Sequence, residues 1–173
     1  MQLNIVEYPD KRLRQKSKEI KSFDEKLHKL LDSMYPLMIE TNGIGLAAIQ
    51  VAHAVRALIL NIPDEEGEQH LENLLEIINP VVTHKEGETV YQEGCLSVPK
   101  FYEDVARFDT ITINYQDREG NTKTLEADGL LSIAIQHEMD HLEGILFIDK
   151  LTYGRRKKFE KEYKRMQKEK KAV

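Results

Sequence analysis

At 173 residues, with 40% hydrophobic and 32% charged residues, the chain has the length and composition of one globular domain able to bury its own core. No apolar run approaches a membrane span and MQLNIVEYPDKRLRQ at the N-terminus has no apolar signal region, so a cytoplasmic protein with no membrane partner is expected. The one cysteine, Cys95, excludes an intramolecular disulfide and suits a reducing compartment.

In chain order, Ser22-Phe23-Asp24-Glu25 has the form of a capping box. Leu27, Leu30, Leu31, Met34, Leu37 and Met38 follow at helical spacing, which predicts a helix from about Asp24 to Thr41. Pro36 predicts a kink in it or an earlier stop. Val55–Ile62 (VRALILNI) reads as a strand and Pro63–Gln69 (PDEEGEQ) as a polar turn. Leu74–Val82, Gly87–Gln92 and Thr110–Gln116 read as further strands, and Asp117–Asn121 as a hairpin turn into a strand over Thr122–Ala127. Helical pattern returns over Gly129–Glu143, with Leu130, Ile133, Ala134, His137 and His141 on one face, and Gly144 fits just past the helix end. A last helix is expected from Thr152 to near Lys168. Strands cluster in the middle with helices around them, which predicts an α+β fold rather than a parallel βαβ one.

Charge divides along the chain. Arg155–Lys171 holds ten Lys/Arg and three acidic residues, leaving 15 basic and 27 acidic residues elsewhere, within a net −5. A basic tail on an acidic body is either a solvated helix face or a contact for a polyanion.

The chemistry concentrates in Gln136-His137-Glu138-Met139-Asp140-His141, an H-E-x-x-H pattern. On a helix the two imidazoles stack one turn apart and can share one metal ion, with the glutamate beside them to move a proton. A catalytic metal needs a third protein ligand and an open position. Cys95, a carboxylate (Glu143, Glu160 or Glu162) or another histidine (His28, His53, His70 or His84) can fill that place. Cys95 sits in Gln92-Glu93-Gly94-Cys95-Leu96-Ser97-Val98-Pro99, where Gly94 allows close backbone approach and Pro99 is expected to end regular pairing. Gly43–Val51 (GIGLAAIQV) is a thin-walled segment carrying the Gln50 amide. The functional classes left open are a metal-dependent amide hydrolase, an H-E-x-x-H zinc endopeptidase and a ribosome- or RNA-binding protein with a structural metal.

GIGLAAIQ (43–50), EGCLS (93–97) and QHEMDH (136–141) resemble, in order and spacing, the three motifs of the peptide deformylases. The resemblance spans nearly the whole chain, including Tyr8–Asp10. It implies a single catalytic domain over 1–173, with antiparallel sheets packed around a metal-binding central helix and a basic C-terminal helix over 155–173. It implies a hydrolase that removes the formyl group from N-terminal formylmethionine of nascent polypeptides. Cys95, His137 and His141 would be the metal ligands and Glu138 the general acid/base. Gln50 and the Leu96 N–H would stabilise the oxyanion. Gly43, Ile44, Gly45, Glu93, Gly94, Ile133 and Ala134 would bind substrate, with Gly45 on its main chain. One divalent ion is expected, Fe²⁺ physiologically, with Zn²⁺, Ni²⁺ or Co²⁺ able to bind. Nascent formylmethionyl peptides are the expected partner, and the ribosome a further one through Arg155–Arg165; no DNA partner is expected. Deletion after about Arg155 is expected to spare activity on a formylated peptide.

Overall fold

The computed structural model describes residues 1–172. Helix α1 (Glu25–Glu40) starts at Asp24, whose side chain accepts a hydrogen bond from the Leu27 N–H at 3.1 Å. The cap is therefore Asp24, and Ser22 lies outside the helix. Pro36 stays inside α1 without ending it. Leu27, Leu30, Leu31, Met34 and Met38 are buried on its inner face, and this burial outweighs the one backbone bond that proline removes.

Seven strands follow: β1 (Gly45–Ala47), β2 (Ala57–Leu60), β3 (Leu75–Glu86), β4 (Thr89–Cys95), β5 (Val98–Arg107), β6 (Thr110–Gln116) and β7 (Thr122–Asp128). Five form one antiparallel sheet in the order β1-β2-β3-β6-β7, while β4 and β5 form a separate hairpin. Helix α2 (Gly129–Leu142) packs on the sheet, and α3 (Tyr153–Lys171) closes the chain.

The sheet is buried on both faces where it meets the helices. Along β2 every residue is buried, and its alternation sends Ile59 towards α1 and Leu58 and Leu60 towards α2. The cluster around α1 joins Leu31, Met34 and Met38 to Leu46 and Ile78. The cluster around α2 joins Ala134, Ile135 and Leu142 to Ala47, Ile77 and Ile113. A third cluster ties Phe159 of α3 to Phe101 and Val105 of β5 and to Phe147.

Two strands, β1 and β5, lie outside the expected elements, and three expectations need correction. β1 is too short for a periodic signal, and pairing with β2 alone makes it a strand. The strands expected over 74–82 and 87–92 run on to Glu86 and Cys95. Pro99 does not end pairing, since it is the second residue of β5. It lies in a break of register between the Cys95/Val98 and Glu93/Glu103 pairs, where the ladder does not need its missing N–H.

Candidate metal centre

Two elements build the site. α2 places His137 and His141 one turn apart, with ring centroids 5.1 Å from each other. The β4–β5 hairpin turns sharply after Cys95, which pairs with Val98, and presents the thiol to the helix. Cys95 Sγ lies 3.4 Å from His141 Nε2, and one donor atom from each of Cys95, His137 and His141 falls within 4.8 Å of the others. At ordinary metal–sulfur and metal–nitrogen distances, the donors of a tetrahedral site stand roughly 3.5 Å apart. A thiol and two imidazoles facing one another, half-buried at Cys95 and His137 and fully buried at His141, fit a shared cation. The donor set suits Zn²⁺ or Fe²⁺ and disfavours Mg²⁺ and Ca²⁺.

The His137 ring is held from behind. His137 Nδ1 donates to Glu93 Oε1 at 2.9 Å, which leaves its Nε2 for the site. Glu93 in turn accepts a bidentate pair from Arg107 Nε and Nη2, both at 2.8 Å. Arg107 Nη1 donates to Asp140 Oδ2 at 2.6 Å. Phe147 stacks on the His137 ring at 6.0 Å. Burial opposes the Glu93 charge, but Arg107 and His137 still hold its carboxyl below the usual range. Burial also opposes a charged His137, yet its bonds to Cys95 and Glu93 carry it well above the usual value. His141 is driven well below the usual value by burial and by the charge on His137.

Glu138 is almost fully buried, with Oε1 3.9 Å from His141 Nε2. Burial pushes its pKa up to about 7, against the pull of His137. Gln50, also buried, is fixed by its Oε1, which accepts from the Ala47 N–H at 2.9 Å. Its Nε2 is thereby aimed at Ser97 Oγ (3.1 Å) and Cys95 Sγ (3.5 Å).

A cleft of about 700 Å³ opens beside these groups. Gly43, Ile44, Gly45, Gln50, Glu93, Gly94, Cys95, Leu96, Ile133, Ala134, His137 and Glu138 all line it, while His141 is buried behind the wall. A Cβ on Gly43 would stand 2.7 Å from Leu96 Cδ1, so the two cleft walls meet without room for a side chain there. The close approach expected at Gly94 is to the Tyr102 ring, 2.5 Å from where a Cβ would be. The carboxylate of Glu93 is committed to Arg107 and His137, which makes it a support of the site rather than a free group in the cleft.

The other candidate ligands are engaged elsewhere. Glu143 pairs with Arg56, Glu160 and Glu162 with arginines of α3, His28 reaches from α1 to the Arg118 carbonyl, and His53 and His84 bond to Val51 and Glu86 close by in the chain. Asp64, Glu68 and His70 form a second group of close donors, but Asp64 already accepts from the Glu66 and Glu68 N–H groups and bonds to His70.

Arg107, Asp140 and Ser97 were not singled out from sequence. The signal for Arg107 is the alternation of β5, whose buried positions Phe101, Glu103, Val105 and Arg107 put an arginine on the inward face. A buried arginine requires an acidic partner.

A family model for polypeptide deformylase matches residues 2–157. A peptide deformylase of Wolinella succinogenes is 58% identical over 165 residues, covering 95% of this chain and 97% of that protein. One from Helicobacter pylori strain P12 is 57% identical over 169 residues, covering 98% and 97%. Among solved structures, a Legionella pneumophila peptide deformylase superposes with a TM-score of 0.86 at 35% identity, covering 96% of this chain and 98% of that one. A Plasmodium falciparum peptide deformylase does so with 0.89 at 35% identity, covering 98% of each.

Proposed function

The chain belongs to the peptide deformylase family, metal-dependent hydrolases that remove the N-formyl group from nascent polypeptides, and on that premise we propose which of its residues perform the reaction. Cys95, His137 and His141 hold one divalent ion. The observation that carries this reading is their convergence beside a buried carboxylate and a fixed amide donor at one end of a cleft. When bound, such an ion supplies Lewis acidity, favouring ionisation of water and polarising a carbonyl.

Glu138 takes a proton from the attacking water and delivers it to the departing amine. A carboxyl with a pKa near the working pH can both accept and release that proton. The Gln50 amide and the Leu96 N–H donate to the formyl oxygen as charge develops there. Losing one such donor typically costs about 2.7–4 kcal/mol in barrier. The bond from Gln50 Oε1 to the Ala47 N–H keeps the donor end turned inward, so no rotation is needed during reaction.

Substrate lies along Gly43–Gly45. β1 is an edge strand, and its main chain is available to pair with an extended peptide, with Gly45 as the contact. Ile44, Ile133 and Ala134 give the methionine side chain an apolar wall. Gly43 keeps the two sides of the cleft close, Gly94 leaves room for the Tyr102 ring on the hairpin wall, and Glu93 acts through His137. Products are formate and a free amino terminus.

The ion is Fe²⁺ in the cell, with Zn²⁺, Ni²⁺ and Co²⁺ accepted by the same donors. The protein works in the cytoplasm, where its substrates are made. No helix among the described residues is long and apolar enough to cross a membrane. The exposed lysines of α3 meet ribosomal RNA phosphates.

The deciding experiment measures formate release from formyl-Met-Ala-Ser by wild type and by Glu138→Ala, with metal content determined for both. Wild-type activity with an inert, metal-loaded variant is expected. Retained activity in Glu138→Ala, or cleavage of an internal peptide bond instead, would reject the assignment.

A further inference from the structure

The segment that receives substrate is not held by its own strand alone. Gly43 and Ile44 precede β1, where the ladder with β2 has not begun. The Ile44 carbonyl accepts from the Asn61 N–H at 2.8 Å, but the Gly43 carbonyl has no strand partner. Its bond comes from Gln69 in the loop joining β2 to β3. Gln69 Nε2 donates to Gly43 O at 3.0 Å and to Asn61 O at 2.8 Å. One amide group thus spans the end of β1 and the end of β2, occupying the place where one more pair of strand residues would bond.

The loop is built to deliver that amide. Asp64 Oδ1 accepts from the Glu66 and Glu68 N–H groups, both at 2.9 Å, and the Asp64 N–H donates to Glu68 O at 2.8 Å. His70 Nε2 lies 2.7 Å from Asp64 Oδ2, and the His70 carbonyl accepts from Asn61 Nδ2 at 3.0 Å. The exposed part of the loop is closed on itself, and half-buried Gln69 is the side chain it turns towards the cleft wall. The turn expected over Pro63–Gln69 is a support for the cleft.

We propose that Gln69 is a positioning residue for substrate binding: by tying the Gly43 and Asn61 carbonyls together it fixes the main-chain edge at Gly43–Gly45 against which the peptide lies. The inference rests on the deformylase reading. Gln69 bonds to none of Cys95, His137, Glu138, His141 or Gln50. Its loss therefore loosens the peptide-binding edge and leaves the proton-transfer groups in place. The effect falls on KM and grows with the length of main chain the substrate offers.

The test uses Gln69→Met, which keeps the side-chain length and removes both N–H donors, and Gln69→Glu, which also sets a carboxylate against two carbonyls. Each is assayed beside wild type on formyl-Met-Ala-Ser and on formylmethionine, which has no main chain beyond the first residue. On the tripeptide Gln69→Met should raise KM about three- to tenfold, the worth of a hydrogen bond, with kcat within about twofold. Gln69→Glu should raise KM at least as much, and formylmethionine should show a clearly smaller change. An unmoved KM, a loss confined to kcat, or the same factor on both substrates would overturn the proposal. So would variants unfolded at the assay temperature, because a local tie predicts a folded enzyme. A wild type that releases no formate is a distinct failure, of the deformylase reading itself.

Discussion

At Gly45, an added Cβ would stand 2.7 Å from Leu60 Cδ2 and 3.0 Å from Glu138 Cγ. A side chain there pushes on the proposed proton carrier as well as on the sheet. Gly45→Ala should therefore lower kcat at least about tenfold, since small displacements of a reacting group are costly, and Gly45→Leu should lower it further. Steady-state kinetics on a formylated peptide check this, and full activity in Gly45→Leu would reject close approach at this position. Behind the site, Arg107→Leu would leave Glu93 buried without its cation and His137 without a fixed partner. Loss of such an outer support typically costs 10–100-fold in metal affinity, roughly, and competition with a chelator measures it. Histidines four apart and a lone cysteine are visible in a sequence because few residue types bind transition metals. Arg107 and Ser97 belong to common types whose meaning depends on what they face, and only the hairpin folded against α2 brings Arg107 to Glu93 and Asp140.

At the scale of elements, α2 was legible from its apolar period and the Gly144 stop, and β6 and β7 from alternation across the Asp117–Asn121 turn. β1 and β5 were not. One has three residues, and the other contains a proline tolerated by a register break that no local pattern announces. The junction between α2 and α3 depends on Asp149. It accepts from the Leu146 N–H at 2.9 Å and pairs with Arg14 and Arg156. Burial opposes its charge, but Arg14 and the Leu146 N–H hold the carboxyl below its usual 3.8. A lowered folded pKa means the stabilisation is present above the unfolded value and is lost as pH falls through the lower folded one. Asp149→Asn should cost about 1–3 kcal/mol at neutral pH, and the gap from wild type should close below pH 3.8. Denaturant titrations across pH test it, and a gap that persists in acid would show that charge is not the cause.

Over the whole molecule, the division between an acidic body and a basic tail takes on a shape. Phe159 of α3 is fully buried and meets Phe101 edge-on at 4.7 Å, with Tyr8 at 5.5 Å. Deletion after Arg155 would remove this core residue, and truncating a buried phenylalanine costs about 3–5 kcal/mol. Such a deletion should therefore destabilise the fold rather than spare activity on a formylated peptide, and charge reversal is the cleaner probe of the proposed ribosome contact. Arg155 and Lys158 pair with Glu103, and Arg165 with Glu162 and Glu169, whereas Lys161, Lys164 and Lys168 are exposed and carry no salt bridge among the described residues. Reversing these three to Glu should leave peptide deformylation within about twofold and weaken salt-sensitive co-sedimentation with ribosomes by an order of magnitude or more. Unchanged co-sedimentation would reject the contact. By itself the sequence determined the fold class, the family and the residue types of the candidate metal site, because hydrophobic period and ligand chemistry are local properties written in residue order. Tertiary structure alone decided that Cys95 meets His141, that Arg107 steadies Glu93 and through it His137, and that Gln69 ties the Gly43 and Asn61 carbonyls together. Those contacts reach across as many as 46 positions, and the distances between them exist only once sheet, hairpin and helix have packed.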